Sequence, residues 1–255
     1  RMVRTLDGNA RAFLSDRYRR IDNEDVAEMA LPVLMDVPDL QVASAEVTER
    51  KLYIKAVFPR VQGEVKTGDV VQSGVVISNS EIGLGSISVQ HLVFRLVCSN
   101  GMIAPDSGIK RNHVGRRIES GELSISYQED TLQADDRALS LKLRDSIIAA
   151  TSAEGFESIL ERMREATTGP LLGDPVAAVE LARSRFGMNE REGRGVLEAL
   201  IRGGDYSRFG MLNAITDTAK ADFVDYDRAT ELESLGGSML DVQPGEWKDL
   251  VEATA

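Results

Sequence analysis

KLYIKAVF, Lys51 to Phe58, alternates along its whole length: Leu52, Ile54, Ala56 and Phe58 fall on one face, Lys51, Tyr53 and Lys55 on the other. A period of two marks a half-buried strand. The segment therefore predicts a core face backed by a basic face, with an aromatic ring between two lysines. Leu40–Val47, Asp69–Ser78 and Ser86–Cys98 read the same way, rich in Val and Ile and separated by glycine-bearing turns. In the last of them Leu92, Phe94 and Leu96 share one side, His91, Val93 and Arg95 the other. Parallel strands need long crossovers, which these short spacings exclude, so the neighbours should be antiparallel. The expectation is a sheet with an apolar back and a basic front.

Upstream, Asp22 or Asn23 can cap a helix over Glu24–Met35 whose apolar stripe is Val26, Met29, Ala30 and Val33. Pro32 should kink or shorten it. Downstream, Ser99-Asn100-Gly101 signals a turn, and a short strand is expected near Glu122–Tyr127. Helical periodicity then takes over in seven segments: Asp135–Ala150, Ala153–Ala166, Pro175–Phe186, Glu190–Ile201, Ser207–Ala219, Phe223–Leu235 and Pro244–Glu252. Asp174-Pro175 supplies a cap followed by proline at the first helical position, and Gly203-Gly204 and Gly236-Gly237 read as helix stops. The order predicts an α+β protein, with an antiparallel sheet in the N-terminal half and an all-helical C-terminal half. The division falls near residue 130, as 1–130 and 131–255, or as one continuous domain.

The 255 residues can bury a full core, and the 42% hydrophobic and 28% charged fractions are ordinary for a globular protein. At 5% aromatic, the core should rest on Leu, Val, Ile and Ala. No apolar run approaches the roughly 18 residues of a membrane span, and no signal-peptide core is seen. A single cysteine, Cys98, excludes an internal disulfide framework and fits a reducing cytoplasm. The chain begins with Arg1 rather than Met, and a native start upstream of it is one expectation.

Charge is unevenly spread. Against a net charge of −11, the stretch Arg1–Asn23 sets Arg1, Arg4, Arg11, Arg17, Arg19 and Arg20 against only Asp7, Asp16 and Asp22. From Asp217 onward ten acids face Lys220, Arg228 and Lys248. Such polarity calls for an anionic partner or for carboxylates within the fold, and the two ends could neutralise each other. A second basic patch follows the sheet: Lys110, Arg111, His113, Arg116 and Arg117.

Catalytic signatures are sparse. Two histidines and one cysteine cannot build a four-ligand Cys/His zinc site, and no Gly-x-Ser-x-Gly context marks a nucleophile. Pro38-Asp39 followed by Glu64-Val65-Lys66 fits the loose Pro-Asp…Glu-x-Lys pattern of metal-dependent nucleases. In those enzymes the Glu and Lys lie on a core strand, whereas here they are expected in a turn. Gly83 and Gly85 lack the Lys-Ser/Thr of a phosphate loop and should close a hairpin. Cys98 reads as a small hydrophobe at a strand end. Neither a cofactor nor a resident metal is indicated.

Lys and Arg pair with phosphates, and aromatics stack on bases without sequence preference. The candidate nucleic-acid contacts are Arg11, Arg17, Tyr18, Arg19, Arg20, Lys51, Tyr53, Lys55, Lys110, Arg111, Arg116 and Arg117. The competing reading is a set of ordinary surface charges balancing 41 acids.

RTLDGNARAFLSDRYRRIDN (Arg4–Asn23), VVISNSEIGLGSISVQHLVFRLVCSNGM (Val75–Met102), SRFGMLNAITDTAKA (Ser207–Ala221) and LESLGG (Leu232–Gly237) resemble the phage- and plasmid-associated proteins of domain of unknown function family 932. The likeness spans nearly the whole chain, with Arg-Leu-x-Cys-x-Asn-Gly (Arg95–Gly101) as its most specific piece. The resemblance implies a mobile-element protein, encoded among replication and recombination functions, and brings no catalytic residues. By analogy of fold and context, it also suggests the phage single-strand annealing proteins, which form rings or filaments on DNA. The leading expectation is thus a non-catalytic cytoplasmic protein binding single-stranded DNA in recombination or replication. A homo-oligomeric assembly protein is the alternative and a metal-dependent nuclease the third.

Overall fold

The computed structural model describes residues 1–15, 17–113, 117–120 and 123–254. The side chains of residues 105–107, 117–120 and 123–126 fall outside that description. Five strands form an antiparallel meander in the order of the chain: β3 (Gln41–Val47), β4 (Leu52–Glu64), β5 (Val70–Asn79), β6 (Ile87–Arg95) and β7 (Asn100–Arg111). Tyr53 pairs with Ser78, and Ile77 with Val89, so the two faces alternate in register across the sheet. The antiparallel arrangement is as expected. The strand β7 was not: Asn100 and Gly101 begin a strand, and the turn is confined to residues 96–99, with Ser99 at φ 51°. β4 runs six residues beyond Phe58, and its register slips between Phe58 and Gln62, where Pro59 has no N–H to offer a ladder.

The apolar back is as read. Leu52, Ile54, Ala56 and Phe58 pack with Val75, Ile77, Ile87 and Val89 against Val26, Ala30 and Leu34 of α1 (Asn23–Met35). Leu139, Leu143 and Ile147 of α2 (Glu129–Ala150) complete that layer. α1 runs through Pro32 to Met35 without being shortened. Its first turn is closed by the Asp25 carboxylate accepting from the Asp22 N–H at 2.7 Å.

The remaining helices are α3 (Ala153–Ala166), α4 (Pro175–Arg185), α5 (Glu190–Gly203), α6 (Arg208–Thr218), α7 (Tyr226–Ser238) and α8 (Pro244–Val251). Asn189 caps α5 by accepting from the N–H groups of Arg191 and Glu192, both at 2.9 Å. Gly204, at φ 64°, ends α5 in the left-handed region, as its sequence predicted. Gly236-Gly237 does the opposite of what was expected. Both lie inside α7, because small residues there let it approach the sheet: a Cβ on Gly237 would sit 1.9 Å from the Ile103 carbonyl oxygen.

A two-stranded antiparallel unit, β8 (Arg117–Ser120) with β9 (Leu123–Ser126), precedes α2. A second one opens the chain: β1 (Met2–Leu6) and β2 (Asn9–Leu14). Among the described residues no helix is long and apolar enough to cross a membrane. The architecture is α+β, a sheet followed by helices.

Candidate functional site

The basic front of the sheet is not an open platform. α7 lies across it, and Leu92, Val57, Val76 and Ile103 form an apolar strip beneath that helix. The Lys55 ammonium donates to Glu233 Oε2 at 2.6 Å and stands 4.8 Å above the Tyr226 ring. Burial pushes the Glu233 carboxyl above its ordinary range, and Lys55 pulls it back only in part. Tyr53 is 2% exposed and donates to Asp227 Oδ1 at 2.8 Å. Burial first, then that bond to a carboxylate, drives its hydroxyl strongly upward. Lys51 stays half-buried, 6.0 Å above the Tyr53 ring.

The N-terminal arginines find carboxylates in the same way. Arg19, 7% exposed, pairs with Asp135 at 3.1 Å and Asp136 at 2.5 Å on α2, and donates to the Leu132 carbonyl. Arg111 converges on the same Asp135 oxygen. The Arg111 hydrogen bond holds the Asp135 carboxyl below its ordinary value, burial opposing it. Arg20 donates to Asp22 at 2.6 Å. Arg4 reaches Asp22 at 2.7 Å and Glu81 at 3.3 Å, while Arg11 donates to the Glu49 carbonyl. Tyr18 donates to the Ser80 carbonyl at 3.0 Å and stacks on His113, ring centres 5.2 Å apart. Burial raises its hydroxyl to about 12.

Of the twelve expected contacts, then, Tyr18, Arg19, Tyr53 and Lys55 are buried, and Arg11, Arg20 and Arg111 are bonded within the fold. Arg17 and Lys110 are exposed. Arg116 lies outside the described residues, as does the side chain of Arg117. The late acids take other cations: Asp217 takes Arg202 and Lys220, Asp241 takes Arg162, Asp249 takes Arg185. Of the nuclease-like set, Asp39 pairs with Arg60 at 2.5 Å and Lys66 with Asp205 at 3.0 Å.

The reading by charge passed over the shape of the first fourteen residues. Asp7-Gly8, at φ 51° and 80°, is a two-residue turn of the primed kind that hairpins favour, flanked by alternating VRTL and NARAFL. Val3 pairs with Phe13 across the strands, and the two stay 49% and 76% exposed. Arg4 and Leu14 tether the hairpin, Leu14 lying against Gly83. The edge strand β3 carries Val42 and Val47, 57% and 62% exposed. Residues 36–49 contain Asp36, Asp39, Glu46 and Glu49 and no Lys or Arg.

No curated protein and no solved structure matches the chain. The family described as Domain of unknown function (DUF932) matches residues 12–123, a span that holds the meander sheet, α1 and the Arg95–Gly101 stretch. Ser207–Ala221 and Leu232–Gly237, which also suggested the family, lie beyond the match. Over residues 12–123 the chain is similar to the DUF932 family.

Proposed function

We propose that this protein works by assembly with further copies of itself, without a catalytic centre. The hairpin β1–β2 carries the argument: it holds Val3 and Phe13 in solvent on a two-stranded unit that is marginal alone. The occupant of that face is the β3 edge of a second copy. With Arg4 held by Asp22 and Glu81, Arg1 and Arg11 leave the hairpin basic, and residues 36–49 keep Asp36, Glu46 and Glu49 beyond the Asp39–Arg60 pair, so the two surfaces match in charge as well as in apolar content. Hairpin against hairpin would set Arg1 and Arg11 of two copies together and is disfavoured. A contact between two different surfaces is head-to-tail, which closes into a ring or extends as a filament.

Light scattering after size exclusion, over a range of concentration and salt, tests the proposal. The expected result is a mass of several chains that falls in high salt and in Phe13→Asp, with Val42→Lys giving the same loss. A mass of one chain under all conditions overturns it. A fluorescent single strand added to the same samples examines the rival reading, a single-stranded DNA binder using the exposed Arg17 and Lys110 with Arg11 and Arg20. Salt-sensitive binding by the single chain would establish that reading instead.

A further inference from the structure

Beside the start of β3 is a cavity of about 420 Å³, lined by Val33 and Val37 from the end of α1 and the turn after it, Phe58 and Val61 of β4, and Ile148 of α2. Gln41 pairs with Val57, the neighbour of Phe58, so the cavity lies at the head of the β3 edge. β4 slips register between Phe58 and Gln62, along the part that lines it. Ile148 is 53% exposed, so the apolar lining reaches solvent.

The cations around it are matched. Arg60 pairs with Asp39 at 2.5 Å and Arg144 with Asp145 at 2.7 Å. Asp36, exposed and bonded to no cation among the described residues, is left in excess. An apolar hollow beside one spare carboxylate selects an apolar group carried on a basic surface.

The chain itself offers such a group. Phe13 is 76% exposed, more than any other aromatic side chain among the described residues, and Arg11 stands two positions before it on β2. A void of about 150 Å³ already takes a benzene ring, so this one has room for a phenyl group. Phe13 does not reach the cavity of its own chain. Arg11 is bonded to the Glu49 carbonyl and Leu14 lies against Gly83, which holds the hairpin at the β3–β4 and β5–β6 turns. Those turns adjoin, the Ser80 hydroxyl donating to the Arg50 carbonyl at 2.9 Å. From Leu52, where β4 leaves that end, to Phe58 is about 20 Å at the rise of a strand.

We infer that the cavity receives Phe13 of a second copy. The inference rests on the assembly reading and adds its anchor. Phe13 fills the hollow, Arg11 comes toward Asp36, and the contact gains the kind of seated aromatic that dominates protein interfaces.

Light scattering on variants, separately and mixed, tests this, with circular dichroism to show that each is folded. Phe13→Asp charges the insert, and Ile148→Glu charges the lining at an exposed position. Each alone should weaken assembly about tenfold or more and stay a single chain where the wild type assembles. In a head-to-tail contact each variant keeps the half that the other lacks, so mixing the two should give a mass of two chains and no more. If Ile148→Glu assembles normally, another group occupies the cavity and the inference is overturned, while the assembly reading stands. If each variant stays single and their mixture does too, Phe13 and the cavity are not partners, and the inference is again overturned. A wild type that stays a single chain at every concentration overturns both.

Discussion

Lys55 and Glu233 meet 2.6 Å apart beneath α7, with side chains 8% and 14% exposed. Removing one partner strands the other, so Lys55→Met should cost about 3–5 kcal/mol in chemical denaturation, and Lys55→Met with Glu233→Met should recover most of it. Burial already raises the Glu233 carboxyl, so the folded single variant holds a proton more readily than the unfolded chain. Its deficit should therefore shrink on acidification. His113 behaves in the reverse sense. It is 5% exposed, and burial lowers its pKa, the Arg19 backbone opposing this and Arg111 and Arg4 adding to it. His91 is also lowered by burial. The unfolded chain takes these protons near pH 6.5 while the folded chain refuses them, so stability should fall as pH drops below that value. A urea midpoint that is flat between pH 7.5 and 5.5 would contradict this, and His113→Phe should remove part of the slope.

The helix α7 owes its position to two glycines that its own periodicity misrepresents. A Cβ on Gly237 would strike the Ile103 carbonyl oxygen, which a β-ladder holds in place, whereas one on Gly236 would meet at 2.4 Å a Thr216 methyl, a side-chain atom and not backbone. Gly237→Ala should thus cost about 1–3 kcal/mol or more and exceed Gly236→Ala, measured by denaturant unfolding. At Gly203, near the end of α5, nothing lies within 4 Å of an added Cβ, and alanine should stabilise by about 0.4–1 kcal/mol. At the other end of the chain, Asp7-Gly8 made the hairpin legible from local sequence alone. A reading that followed its arginines went past it.

Across the molecule, one hydrophobic core joins sheet and helices. Val71, Val93 and Met102 pack with Phe156 and Leu160 of α3 and with Met211, Leu212 and Ile215 of α6. Unfolding should therefore be a single cooperative transition by fluorescence and by circular dichroism, and residues 1–128 expressed alone should lack it. Two separated transitions would show the halves to be independent. Residue alternation was enough to identify the α+β order, the apolar back of the sheet and most helices, because side-chain direction repeats every two or every 3.6 residues and is written locally. The fate of the charges was not written there. Arg19 meets Asp135 across 116 positions, Tyr53 meets Asp227 across 174 and Lys55 meets Glu233 across 178. Each pairing exists only because α2 and α7 dock where they do. That docking depends on the shape of buried surfaces and on glycines at their closest approach, which no local period records. The sequence by itself thus determined the elements and the buried face, and the tertiary structure alone decided that the basic face would be covered.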